Sequence, residues 1–559
     1  MRFPDPLPSL LQRYATGVFV LLSGLLVIYP FHYFFGFAQI EALEVIIRPW
    51  VFAAILDAWV LFGVLSFRGL PLVGRVKEAV LVVLMSAIPG VITYKLAPLG
   101  VDHSYGITYY GSAYISQFGR VPFPPPPQVG YLEYPGIMLL THFMSVVTGV
   151  PNTLAGSTLQ IGMYIVLGGA IFQLTKLLTE NTFLSSLAIP LFLFCSIEAG
   201  NFLLFFPATS GATLLILALF IVVRGPKGGA SDKISFIVIF AAMTITHFYD
   251  PLDLMFVLAA MYLVNLGRRE SRRFGVFLTF AVMGFTLYFI LVATSFFNSV
   301  VPETVYSLTH LLLGVSQAYA LQVISSNTVA VPVWAAFFKY LGVLITSIIG
   351  SMVALYHVLR VRSRGDSVPR VERTYYVAAV AILLFGLAIY LATFSSGGIS
   401  ADFYAALQWV VFFSIPIFLL SFSKRRRYVL IVAVCVAFMS APTFYSLVIP
   451  QISTISVYPE NVAAAIFVVH NSPSSSMTVF TDGKNSGVIG ALDPNAVPDF
   501  YTIPSLAFAY KPSELNLVDL SYAYYQLHTY GVGINYSSIE SVDVIYSSPR
   551  IYILPPQTT

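Results

Sequence analysis

The spacing of apolar runs constrains this chain more than any other feature. A membrane-crossing helix needs roughly 20 consecutive, mostly apolar residues. The sequence offers thirteen such runs: 14–37, 50–67, 79–97, 155–178, 182–199, 202–223, 234–249, 251–266, 275–297, 333–359, 375–394, 403–422 and 428–447. Several contain proline (Pro89, Pro190, Pro207, Pro416, Pro442). Helices in a bilayer tolerate this because neighbouring groups satisfy the freed backbone. Charged residues make up 10% of the chain and mean hydropathy is +0.82, against roughly 25% charged in a soluble domain. Too little polar surface is present to face water, so hydrocarbon is the solvent this chain is built for. We expect an all-α polytopic membrane bundle of about thirteen spans over residues 1–447, followed by a small C-terminal extracytoplasmic α/β domain over 448–559. The first run, 14–37, is longer than the roughly 7–15 residues of a signal-peptide core, and is read as a retained span. Cys195 and Cys435 each sit inside an apolar run. They have neither zinc-ligand spacing nor a disulfide framework, and read as small packing residues.

Lysine and arginine set the orientation. With the N-terminus in the cytoplasm and spans alternating, the inner segments hold 22 of the 29 basic residues, including the clusters Arg268–Arg273 and Lys424–Arg427. That bias predicts a cytoplasmic N-terminus and an extracytoplasmic C-terminal domain. It also bears on a fourteenth apolar stretch, 136–150. If that stretch crossed, every later basic cluster would face outward, so it is read as a re-entrant or surface-lying helix. The segment 448–559 has a helical opening, PENVAAAIFVVHNS, and the strand-like runs MTVFTD, SVDVIYS and RIYILP.

The large outer loop 98–154 concentrates the residues that could do chemistry. Asp102, followed by His103, sits about five residues beyond the third span. An acid there can stay ionised yet partly enclosed, and can take a proton from an incoming hydroxyl or amide. The segment Tyr105 to Arg120 has the pattern of an amphipathic helix. Arg120 at its end suits a phosphate, although lipid-headgroup anchoring also fits. Glu133 and Tyr134 precede the apolar helix that carries His142, which reads equally as a packing histidine. Further along, Glu198 lies in an outer hairpin, and His247, Asp250 and Asp253 cluster in Thr-His-Phe-Tyr-Asp-Pro-Leu-Asp. A divalent cation, Mg or Mn, would draw on Asp102, Glu198, His247 and Asp250; a polar hairpin tip that faces water is the plainer expectation for the last two. Asp57 falls inside the second run, where an ionisable group is costly and so a functional candidate; a protonated or hydrogen-bonded structural aspartate fits equally. No phosphate-binding loop, H-E-x-x-H or G-x-S-x-G motif occurs.

The order Asp102, Tyr114-Ile115, Gly119-Arg120-Val121-Pro122, Tyr134-Pro135-Gly136, Thr148-Gly149 resembles the first outer loop of the polytopic glycosyltransferases of the GT-C fold. These enzymes use lipid-phosphate-linked sugars and include the protein mannosyltransferases and oligosaccharyltransferase catalytic subunits. The resemblance covers residues 79–270. It implies a membrane glycosyltransferase that takes a polyprenyl-phosphate-linked donor, with Asp102 as catalytic base and His103, Arg120, Glu133, Tyr134 and His142 contacting substrate. Its partners would be membrane lipids, the lipid-linked donor and a protein or glycan acceptor, with no nucleic acid. Two departures stand out: two extra spans precede the acid, and no D-x-D pair or W-W-D-x-G motif is present. The competing readings are a transporter or lipid flippase, and a non-catalytic scaffold for cell-surface assembly.

Overall fold

The computed structural model describes residues 9–28, 42–67, 75–96, 108–121, 133–194, 207–224, 230–294, 346–359, 370–396, 400–422, 457, 459–471, 479–481, 483–492, 499–500, 515–519, 546–547 and 551–554. Its helices, in chain order, are α1 (Ser9–Ile28), α2 (Ala42–Ser66), α3 (Arg75–Leu96), α4 (Tyr110–Phe118), α5 (Gly136–Thr148), α6 (Asn152–Thr179), α7 (Thr182–Phe194) and α8 (Pro207–Arg224). They continue with α9 (Ala230–Thr244), α10 (Tyr249–Val264), α11 (Arg269–Leu291), α12 (Thr346–Leu359), α13 (Arg370–Ser396), α14 (Ser400–Phe422), α15 (Pro459–Asn471) and α16 (Gly483–Leu492). Each of the first twelve apolar runs carries one of these helices; the thirteenth, 428–447, lies outside the described residues.

The protein is a polytopic helical membrane bundle. Among the described residues three helices are long and apolar enough to cross a bilayer, over Asn152–Thr179, Glu270–Leu291 and Val371–Ala388, and further shorter helices are apolar. The surface of α11 shows what surrounds it. Val276, Phe280, Met283 and Leu287 are all exposed, at helical spacing along one stripe. In water such a stripe would be an unburied core face; in hydrocarbon it is the outer surface.

Inside the bundle, aromatic and small residues let helices approach. Phe19 stacks on Trp59 with centroids 5.6 Å apart, and the Trp59 indole donates to Ser23 Oγ at 2.8 Å. Phe192 of α7 stacks on Phe412 of α14 at 3.7 Å. At the end of the bundle predicted to be cytoplasmic, Lys176 near the end of α6 meets Glu78 near the start of α3 at 2.7 Å.

The described residues of the C-terminal segment build a five-stranded mixed sheet. Its strands are β1 (Val479–Thr481), β2 (Asp499–Phe500), β3 (Leu515–Asp519), β4 (Tyr546–Ser547) and β5 (Ile551–Leu554), in the order β2-β1-β3-β5-β4. β1 pairs in parallel with β2 and β3, while β5 is antiparallel to both β3 and β4. The helix α16 bridges β1 and β2, as a parallel pair requires. A second apolar core joins this segment to the first long loop: Tyr109, Tyr110 and Ile115 beside α4, Ile137 and Met138 of α5, Val457, Ala464, Ala465 and Val468, and Val488 and Ile489 of α16. Gly490 lies against the Tyr110 ring so closely that any Cβ there would overlap it.

Candidate functional site

The site is built where the long loop comes back to the bundle. Just before α5 the chain runs through Glu133 and Tyr134, both buried. Three contacts hold this entry in place. The Gly136 N–H donates to the carbonyl of Ile245, just past the end of α9, at 2.8 Å. The Tyr288 hydroxyl of α11 donates to the Glu133 carbonyl at 2.5 Å. The Tyr134 ring lies 6.1 Å from that of Tyr288 and 6.4 Å, edge-on, from Phe248. Phe248 in turn packs on Phe285 and Phe289. An aromatic platform at the end of α11 therefore fixes where Glu133 sits.

Directly beneath is the turn from α9 into α10. The sequence Thr-His-Phe-Tyr-Asp-Pro-Leu-Asp explains its form. Proline lacks the N–H that a helix interior needs, but is tolerated in the first turn, and Pro251 lies in the first turn of α10. The three-residue spacing of His247 and Asp250 brings them to one face. His247 Nδ1 and Asp250 Oδ2 are 2.6 Å apart, and both residues are buried, Asp250 to 1% exposure. Asp253, one turn along, is 2% exposed. The second oxygen of Asp250, one oxygen of Asp253 and the Ser210 hydroxyl of α8 are buried with no hydrogen-bond partner among the described residues. The expectation that this hairpin tip faces water is thus corrected: α5 and α8 cover it. Gly211 makes this cover possible, since a Cβ there would overlap the Asp250 carboxylate.

Chemically, His247 and Asp250 form a buried imidazole–carboxylate pair, in which the carboxylate fixes the ring's orientation and tautomer. Among the described residues no group of three or more His, Cys, Asp or Glu side chains is arranged to hold a metal ion. The described part of the expected ligand set is His247 and Asp250, and the Nδ1 of that histidine is already engaged.

The other expected residues are distributed as follows. Asp102, His103 and Glu198 lie outside the described residues. Arg120 is exposed, just past Gly119, whose left-handed conformation (φ 65°) ends α4. His142 is half-buried on α5 and its Nδ1 is 2.8 Å from the Ser116 hydroxyl of α4. It stands six residues beyond Gly136, a rise of about 9 Å along the helix, and so apart from the buried His247 pair. The structure joins Glu133 and Tyr134 to the His247–Asp250 turn, and sets Arg120 and His142 on a separate, more open edge. Sequence reasoning missed Ser210, Gly211 and Tyr288. A serine, a glycine and a tyrosine inside apolar runs carry no signal until the helices around them are placed.

No protein-family model matches the chain, and no curated protein does. Among solved structures, ArnT from Cupriavidus metallidurans bound to undecaprenyl phosphate is similar at a TM-score of 0.40 and 12% identity, over 87% of this chain and 98% of that one. That degree of likeness is too low to assign chemistry to this chain.

Proposed function

We propose that the protein is a membrane glycosyltransferase. It would transfer a sugar from a polyprenyl-phosphate-linked donor to a protein or glycan acceptor, on the extracytoplasmic side where the C-terminal segment lies. The observation that carries this reading is the return of the long loop. Glu133 is held by Tyr288, and Gly136 and Tyr134 by Ile245 and Phe248 beside the buried His247–Asp250 pair, so the loop that contains Asp102 is tied to one end of an apolar bundle, at a turn rich in polar side chains. That geometry suits a substrate with a lipid tail and a sugar head. The order of residues in the loop, which resembles the GT-C enzymes, points the same way.

In this mechanism Asp102 accepts the proton of the acceptor hydroxyl or amide as its oxygen or nitrogen attacks the anomeric carbon. The bond from that carbon to the phosphate oxygen breaks, and polyprenyl phosphate leaves with the electron pair. Arg120 on the open edge meets the phosphate charge, with His142 beside it. Glu133 and the His247–Asp250 pair, buried beneath, hold the returning loop in position rather than touch the sugar. The described donors do not by themselves make a cation site, so no step is routed through a metal. A divalent cation held by His247 and Asp250 together with Asp102 and Glu198 is the metal-dependent form of the proposal.

The test uses purified protein in mixed micelles with polyprenyl-phosphate-linked hexose and pentose donors, and follows release of polyprenyl phosphate. Wild type should release it. Asp102→Asn should be slower by about 100- to 10,000-fold at unchanged expression. Full activity in the variant removes Asp102 as the base. No release by folded wild type from any donor, with an acceptor lysate present, overturns the transferase reading. A chelator arm decides the metal: rates unchanged by EDTA discard the cation.

A further inference from the structure

The turn between α10 and α11 carries charge that the site does not use. α10 starts beside the Glu133 entry and runs for 16 residues, about 24 Å, to the opposite end of the bundle, the end predicted to be cytoplasmic. There the chain reads Leu-Gly-Arg-Arg-Glu-Ser-Arg-Arg over 266–273, four arginines against one glutamate. The turn is tightly made. Gly267 takes the left-handed conformation (φ 81°). The Arg268 N–H donates to the Asn265 carbonyl at 3.0 Å, and the Ser271 N–H and hydroxyl both donate to the Arg268 carbonyl, at 3.1 and 2.9 Å. The backbone therefore holds these arginines at fixed places.

Their surroundings differ. Arg273 turns inward: its Nη2 donates to the Ile221 carbonyl of α8 at 3.3 Å, and its guanidinium lies 5.4 Å from the centroid of the Phe277 ring. Arg268 and Arg272 are exposed, and neither meets an acidic side chain among the described residues. Arg272 stands four residues before Val276, so it heads the same lipid-facing stripe of α11 that continues through Phe280. α10 supplies a second apolar wall, where Leu263 and Leu266 are exposed by 60% and 56%. Between the two helices, Gly275 lets the Tyr262 ring lie flat on α11, since a Cβ there would stand 3.1 Å from the ring.

We infer that this hairpin binds an anionic phospholipid of the adjoining leaflet, with its phosphate on Arg268 and Arg272 and an acyl chain along Val276 and Phe280. The occupant follows from two chemistries joined on one stripe. Exposed guanidinium groups call for an anion, and phosphate takes them in bidentate pairs. The apolar residues next along the same face call for a hydrocarbon chain. A soluble anion satisfies only the first demand. A zwitterionic lipid carries its own cation, so its headgroup gains little from two arginines. A phospholipid with net negative charge satisfies both. The inference is independent of the transferase reading, because the hairpin lies at the other end of the bundle and its test uses no sugar donor.

The test is lipid competition on the full-length protein. Cys195 and Cys435 are replaced by alanine, and Phe280→Cys carries a fluorescent dye about 12 Å along the helix from Arg272. Leu384→Cys, an exposed position midway along α13, serves as the reference. The protein is reconstituted in mixed vesicles of phosphatidylcholine and phosphatidylglycerol with identical chains, one or the other brominated mid-chain as the quencher. At position 280 phosphatidylglycerol should quench as though enriched about 30-fold, from about 5-fold for each arginine, while at position 384 the two lipids should quench alike. Arg268→Gln with Arg272→Gln should bring position 280 to parity. Arg268→Lys with Arg272→Lys, which keeps the charge, should retain a clear preference. Equal quenching by both lipids at position 280 of the wild type overturns the inference, as does a preference that survives the glutamine pair or appears equally at position 384. Loss of the preference in the lysine pair as well would assign it to the shape of the hairpin and overturn the role of charge.

Discussion

Gly211→Ala should be disproportionately damaging for a change of one methyl group. The added Cβ would overlap the Asp250 carboxylate and press on the Cβ of His247. Asp250 is 1% exposed, so its side chain has no solvent to move into. Either the helices α8 and α10 separate, or the carboxylate rotates and leaves His247. Overpacking of this kind costs about 1–3 kcal/mol, and losing a charge-assisted hydrogen bond in the interior about 1.5–3 kcal/mol. Alanine returns about 0.5–1 kcal/mol as the better helix former. By either route the net expectation is a loss of about 0.5–2.5 kcal/mol. The assay is equilibrium unfolding in mixed detergent micelles for wild type, Gly211→Ala, Asp250→Ala and the double variant. In the Asp250→Ala background the carboxylate is gone and the His247 Cβ contact remains, so the cost of Gly211→Ala should fall by at least half. A Gly211→Ala protein within about 0.5 kcal/mol of wild type, or an equal cost in both backgrounds, refutes the argument.

Tyr288→Phe keeps the aromatic platform and removes the hydroxyl that holds the Glu133 carbonyl; it should cost about 1 kcal/mol in the same unfolding assay and leave the Tyr134 ring packed. Gly490→Val should drive α16 away from Tyr110 at about 1–3 kcal/mol, read as faster protease cleavage between the bundle and the C-terminal segment, and Tyr110→Ala in the same chain should recover part of it.

Much of the helical layout was legible because a bilayer demands long apolar runs, and such runs are visible one residue at a time. The 3.6-residue period also marked α15 from PENVAAAIFVVHNS, and alternation marked β1, β4 and β5. β2 and β3 went unmarked: Asp499-Phe500 is too short to alternate, and Leu515–Asp519 carries no run of β-branched residues. The site was half legible. His247 and Asp250 were readable because a three-residue spacing is a local geometric fact. That their hairpin is buried was not, because its cover comes from Ser210 and Gly211 on one helix and from the loop before α5. Tyr288 reaches Glu133 across 155 residues of sequence, and no periodicity records such a pairing.

The seat of Gly490 on Tyr110 has a consequence for the order in which the molecule is made. The two residues are 380 positions apart. A ribosome adding about 5–20 residues per second needs about 20–75 seconds to get from one to the other. Throughout that interval α4 has been made, while α16, which packs on it, does not yet exist. The bundle can settle span by span, but the loop that carries the proposed catalytic acid acquires its partner only near the end of synthesis. Chains that stop early would hold a nearly full set of membrane helices around an unfinished site, with Tyr110 and Ile115 bare to the quality-control machinery.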